Sequence, residues 1–238
     1  MNNKINQEIS WKWDVSRLLK DSSAPRVVTP TILLEWITKN NHNVSRRYLT
    51  TAMKEWCAAG ILERVAHGVF LNKQIRPQPR ADEAVSWIRK DAVISLQRVL
   101  GDCGVLNNPS LWITAVIPTA TGIKGGIVDS SSHVFHFSSI RQDLLPSTTD
   151  DWAKDAYAYG APTLTATPEK ALLDWIYLST LSNGRSRSHP PRHDIDMDML
   201  NAERLEHLSQ HMGLTQELNT WLAPQPILRS TKKPSLRP

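Results

Sequence analysis

An α+β protein is predicted from three observations. Helix-capping signals recur before apolar stripes, short β-branched runs lie between them, and a basic excess sits mainly in the first third of the chain. The N-terminal helices lead into a short two-stranded ribbon, the pattern of a winged helix-turn-helix, and a mixed α/β C-terminal domain is expected to follow. Residues 1–76 are assigned to the first domain, residues 81–223 to the second, and residues 224–238 to a basic flexible tail.

Composition narrows the function classes. The chain has 238 residues, 40% hydrophobic and 21% charged, which suits a soluble protein with two cores. No apolar run approaches the roughly 18 residues that span a bilayer, so no membrane partner is expected. The opening MNNKINQEISWKWD lacks the apolar centre of a signal peptide, which predicts a cytoplasmic protein. Residues 1–80 hold 13 Lys and Arg against 6 Asp and Glu, a balance of +7. Residues 81–183 hold 7 against 11, a balance of −4, and residues 184–238 hold 8 against 6. An anionic partner is therefore expected to meet the first domain.

Residues 11–21 fit a short helix with Val15, Leu18 and Leu19 inward. SSAPR then reads as a loop. Thr29 caps and Pro30 opens the next helix, whose Ile32, Leu33, Trp36 and Ile37 form an apolar stripe ended by Asn40–Asn43. The third helix is capped by Ser45 and stopped by Gly60; Leu49, Ala52, Met53, Trp56 and Cys57 make its buried face. Its opposite arc carries Arg46, Arg47, Thr50, Thr51 and Lys54, three cations and two hydroxyls with no acid. Arginines in a first turn oppose the helix dipole, which favours an anionic partner; a merely solvated basic face is the alternative.

Ile61–Val65 and Val69–Leu71 are strand candidates joined by Ala66-His67-Gly68, the wing, whose Arg64 and His67 are candidates for the phosphate backbone or a minor groove. A histidine in such a turn is otherwise a solvated turn residue. Pro77-Gln78-Pro79-Arg80 reads as a stiff linker. After it come a helix over 81–90 presenting Ala84, Val85 and Ile88, a strand Ala92–Ile94, and a helix from Leu96 to Cys103 capped by Ser95. Leu111–Ile117 and His133–Phe137 are strands, and Thr163–Ala166 is a shorter one. The acidic stretch within 141–160 fits a helix or an irregular excursion. Thr167-Pro168-Glu169 opens an apolar helix containing Ala171, Leu172, Trp175 and Ile176. A polar loop over 181–191 and helices over 197–213 and 215–222 complete the domain.

Catalytic signatures are missing: there is no phosphate loop, dinucleotide fingerprint or nucleophile elbow. His189, His193, Asp194, Asp196 and Asp198 lack metal-ligand spacing, so no metal is expected, and no cofactor. Gly122–Gly126 reads as a loop between strands. Cys57 and Cys103 are expected to be buried reduced thiols.

Three segments, VSRRYLTTAMKEWCAAGILERVAHGVFL, AVISLQRVLGDCGVL and TLTATPEKALLDWIYL, occur in an order that resembles the AbiEi-type antitoxins of bacterial abortive-infection (type IV) toxin–antitoxin systems. The resemblance covers roughly residues 30 to 180. It implies a winged-helix domain that binds inverted repeats in its own promoter, and a C-terminal domain associated with neutralising a co-encoded toxin, commonly a nucleotidyltransferase. Ser45, Arg46 and Arg47 match the reading helix, and Arg64, His67 and Gly68 match the wing. The sequence thus predicts a non-enzymatic antitoxin and autorepressor in phage defence, with promoter DNA as partner. Arg47, Thr51 and Lys54 are candidates for base edges, and Arg46, Thr50 and the wing for phosphates. A winged-helix regulator or protein-binding module unconnected with a toxin is the competing reading.

Overall fold

A three-stranded sheet with different neighbours on its two faces organises the first half of the protein. The structure is a computed structural model describing residues 11–119, 125–130, 132–144, 154–155, 163–181 and 188–224. Helix α1 covers residues 11–18 and is followed by β1 (Val27–Val28), α2 (Pro30–Lys39), α3 (Arg46–Ala58), β2 (Leu62–Ala66) and β3 (Val69–Asn72). All strand pairs are antiparallel in the order β1-β3-β2, with Val27 opposite Leu71 and Arg64 opposite Phe70.

Because successive strand side chains alternate between faces, β1 presents Val28 to one side and Val27 to the other. Val28 and Leu62 join Trp11, Val15, Leu19, Leu33, Ile37, Leu49, Met53 and Trp56 in a core made with α1–α3. Trp11 meets Trp56 edge-on, 6.1 Å between ring centroids, which fixes α1 against α3. Val27, Val65, Val69 and Leu71 belong instead to the larger core of the second half. Asn72 is wholly buried yet satisfied: its amide donates to Leu19 O at 2.8 Å, and its Oδ1 accepts the Gln74 N–H at 3.1 Å.

The second half begins with a 3₁₀ turn, Ala81–Ala84, and the single-turn α4 (Val85–Ile88), then β4 (Val93–Ile94), α5 (Gln97–Asp102) and β5 (Ile113–Pro118). It continues with β6 (Gly126–Asp129), β7 (Val134–Ile140), β8 (Lys154–Asp155), β9 (Leu164–Thr165), α6 (Pro168–Thr180), α7 (Ala202–His211) and α8 (Thr215–Leu222). Its six-stranded sheet has the order β6-β7-β5-β4-β9-β8. The pairs β4–β9 and β5–β7 are parallel and the others antiparallel, so the sheet is mixed and the α+β class holds. Among the described residues no helix is long and apolar enough to cross a membrane.

The Pro77–Arg80 stretch is pinned rather than loose. The Arg26 guanidinium grips buried Glu83 through Nε–Oε2 at 2.6 Å and Nη2–Oε1 at 2.8 Å, and donates to Pro77 O at 2.9 Å. A second tie joins β2 to the end of the large sheet, where Glu63 accepts from Lys73 at 2.9 Å and lies 2.8 Å from His133 Nε2. Burial pushes the Glu63 carboxyl up, but these two partners outweigh it and hold it below its ordinary value.

Several sequence expectations change. Strand β1 lies between the SSAPR loop and the Thr29 cap, in two residues given no element from sequence, and β6 and β8 are additional; strands this short carry no period-two signal. Ser95 is not a helix cap. Leu96 takes the cap position with φ 63°, and the Ser95 hydroxyl donates to Asp174 Oδ2 at 2.7 Å. The helix expected over 197–213 starts only at Ala202, where Asn201 accepts the Arg204 N–H at 2.9 Å. Neither cysteine is fully buried: Cys57 is half-buried and Cys103 is exposed. The stretches 145–153, 156–162 and 182–187, and the tail 225–238, lie outside the described residues.

Candidate nucleic-acid interface

Local chemistry builds α3 as the sequence predicts. The Ser45 hydroxyl accepts the Tyr48 N–H at 3.4 Å, and Gly60 leaves the helix at φ +68°. Leu49, Ala52, Met53 and Trp56 are buried, which turns Arg46, Arg47, Thr50, Thr51 and Lys54 outward, all of them exposed. The two threonine hydroxyls donate back to the carbonyls of Arg46 and Arg47, at 2.8 and 3.2 Å, so their oxygens face a partner as acceptors. Glu55 is engaged by Lys12 of α1 at 3.0 Å. Among the described residues no carboxylate lies within ion-pair distance of Arg46, Arg47, Lys54 or Arg64.

The β2–β3 hairpin turns at His67 and Gly68, where Gly68 has φ +73°, and a register shift between Arg64 and Ala66 bends the ribbon. Arg64 and His67 are exposed. A groove of about 840 Å³ runs between α3, this hairpin and the start of α2. It gathers Arg46, Thr50, Lys54, Arg64 and His67, five of the eight residues singled out from sequence. Arg47 and Thr51 project from α3 without lining it, and Ser45 stays at the helix cap.

Four further residues contribute without a sequence forecast as site members. Thr29 and Thr31 bring the N-terminus of α2 to the groove, and its first turn holds no acid. Tyr48 is 60% exposed on α3. Trp87, 41% exposed, reaches the groove from α4 in the other half of the chain. Its signal was present: Ala84, Val85 and Ile88 define the inward side of 81–90, and Trp87 falls off it. Burial pushes the Cys57 thiol up despite the opposing charge of Arg64, so this groove-lining cysteine is a neutral thiol.

The His/Asp-rich stretch separates into independent local contacts. His189 Nδ1 lies 2.8 Å from Ser179 Oγ, Asp194 accepts from Asn108 at 3.2 Å, and Asp196 accepts the Asp198 N–H at 3.1 Å. Among the described residues no group of three His, Cys, Asp or Glu is arranged to hold a metal ion. Residues 120–124 of the glycine-rich segment lie outside the described residues, and Gly126 opens β6.

No protein-family model matches the chain, and no curated protein matches it. A solved structure does. The crystal structure of the RV2827C protein from Mycobacterium tuberculosis aligns over 87% of this chain and 77% of its own, with TM-score 0.53 and 19% identity. The likeness is one of fold.

Proposed function

We propose that residues 11–72 form a winged helix that reads duplex DNA. In this reading the chain is an autorepressor acting on inverted repeats in its own promoter, and the antitoxin of a co-encoded nucleotidyltransferase-type toxin. One observation carries the DNA reading: the exposed arc of α3 and the adjacent hairpin together present Arg46, Arg47, Lys54 and Arg64 with no carboxylate partner among the described residues. The order helix, strand, two helices, hairpin, with a three-stranded antiparallel sheet, supports a winged helix in which α3 enters the major groove. Arg47, Thr51 and Lys54 then face base edges, while Arg46, Thr50, Arg64, His67 and the start of α2 hold phosphates. The resemblance to AbiEi-type antitoxins supports the autorepressor and antitoxin roles.

Fluorescence anisotropy with the DNA upstream of the protein's own reading frame tests this function. With Arg46 and Arg64 neutralising about two phosphates per protomer, log K falls against log salt with a slope near −1.8. Affinity that does not change with salt would sink the assignment. The toxin role is tested separately, by whether this chain restores growth to cells expressing the neighbouring reading frame.

A further inference from the structure

The groove beside α3 has an aromatic wall as well as a cationic rim. Arg46, Lys54, Arg64 and His67 surround it, and Phe70 and Trp87 line it together with Met53 and Val69. At about 840 Å³ it lies within the range of small-molecule sites, roughly 300–1,000 Å³.

Each part of the lining selects for a ligand property. The cations favour a compact anion, because guanidinium groups bind phosphate oxygens well, and the start of α2 adds the Thr31 N–H, since Pro30 has none and that of Ile32 is bonded to the Thr29 hydroxyl. An exposed indole favours a flat ring stacked on its face. The neutral Cys57 thiol adds no negative charge. The geometry points to a binding site for a small aromatic phosphate of the nucleoside monophosphate class, which competes with DNA for Arg46 and Lys54. The competition rests on the DNA reading above; the site itself does not.

Trp87 gives the site a structural condition. It belongs to α4, four residues beyond Glu83, the carboxylate held by Arg26, so the indole, unlike Phe70 of β3, meets the cationic rim only while the two halves are packed. The ligand therefore bridges the DNA-facing half and the second half.

Isothermal titration of the full chain with adenosine monophosphate, adenosine and inorganic phosphate tests the site. The monophosphate is expected to bind at least about tenfold more tightly than either fragment, since only it uses both walls. Trp87→Ala is expected to weaken it about tenfold or more and Trp87→Phe to stay within about threefold, because a phenyl ring still stacks. Arg64→Ala, at an exposed position that cannot unfold the core, is expected to weaken it about tenfold. No binding of the monophosphate, or unchanged affinity in both Trp87→Ala and Arg64→Ala, overturns the site. In the anisotropy assay, a monophosphate concentration that just saturates the wild-type protein is expected to weaken its complex with promoter DNA several-fold and to weaken the Trp87→Ala complex less. Binding without displacement overturns the competition. A wild-type protein that binds the monophosphate but not DNA overturns the DNA reading and leaves the site standing.

Discussion

Replacing Arg47 and Lys54 together with alanine is expected to weaken promoter binding by roughly 30- to 700-fold, about 2–4 kcal/mol for two major-groove contacts. Both residues are exposed on α3, and neither has a carboxylate partner among the described residues, so folding loses nothing with them. Removing Arg47 from the first turn also relieves a dipole conflict worth a few tenths of a kcal/mol. The thermal midpoint is therefore expected to stay within about 2 °C of wild type. Unchanged affinity, measured by anisotropy at one fixed salt concentration, would remove α3 from the interface. If either cation touches a phosphate, the salt slope also flattens by about one per lost contact.

Asp174→Ala is expected to cost about 3–5 kcal/mol and to lower the thermal midpoint by about 6–20 °C, because it strands a buried ammonium. Lys170 and Asp174 sit one turn apart on α6, both wholly buried and in direct contact. The other carboxylate oxygen accepts from Ser95 at 2.7 Å, and the Thr114 hydroxyl donates to the Ser95 carbonyl at 2.6 Å, so the pair also fixes the turn between β4 and α5. That turn holds Leu96 at φ 63°, a conformation ordinarily left to glycine, which an anchored neighbour stabilises. Replacing both partners, Lys170→Met with Asp174→Leu, is expected to recover part of the loss, since no buried charge then lacks a partner while the buried Ser95 hydroxyl still lacks its acceptor. Thermal unfolding followed by circular dichroism decides the matter; a double variant less stable than Asp174→Ala would contradict the charge argument.

The same helix shows how far sequence reasoning reaches. Thr167 and Pro168 are legible as a cap and first turn, and Thr167 Oγ1 does accept the Lys170 N–H, at 3.4 Å. Glu169, legible only as part of the helix opening, is buried, and its Oε1 accepts the Asn201 N–H at the start of α7. Lys170 and Asp174 have polar letters, and no local rule places them in a core. Ser95 and Asp174 are 79 positions apart, so the choice of Ser95 between capping α5 and bonding α6 is a tertiary decision. Strong periodic segments, α2, α3 and α8, are legible because one face of each is buried along its whole length. Of the two-residue strands, β4 and β9 fall within runs legible as strands, Ala92–Ile94 and Thr163–Ala166, whereas β1 and β8 have almost no pattern of their own and depend on the strand beside them.

At the candidate interface the basic arc of α3 and the hairpin turn follow from spacing and a glycine. Their meeting in one groove follows from the packing of α3 on β2, and Trp87 joins them because the back of the small sheet belongs to the larger core. A linker placed at 77–80 conceals that arrangement, since the Arg26–Glu83 grip spans 57 positions.

Hydroxyl-radical footprinting of the wild-type protein on the DNA upstream of its own reading frame measures the central claim most directly. Protection is expected on two half-sites of an inverted repeat, about one or two helical turns apart, and is expected to vanish from both with the Arg47→Ala, Lys54→Ala variant at the same protein concentration. Protection that persists in that variant, or folded wild-type protein that protects no position, would contradict a DNA-reading α3.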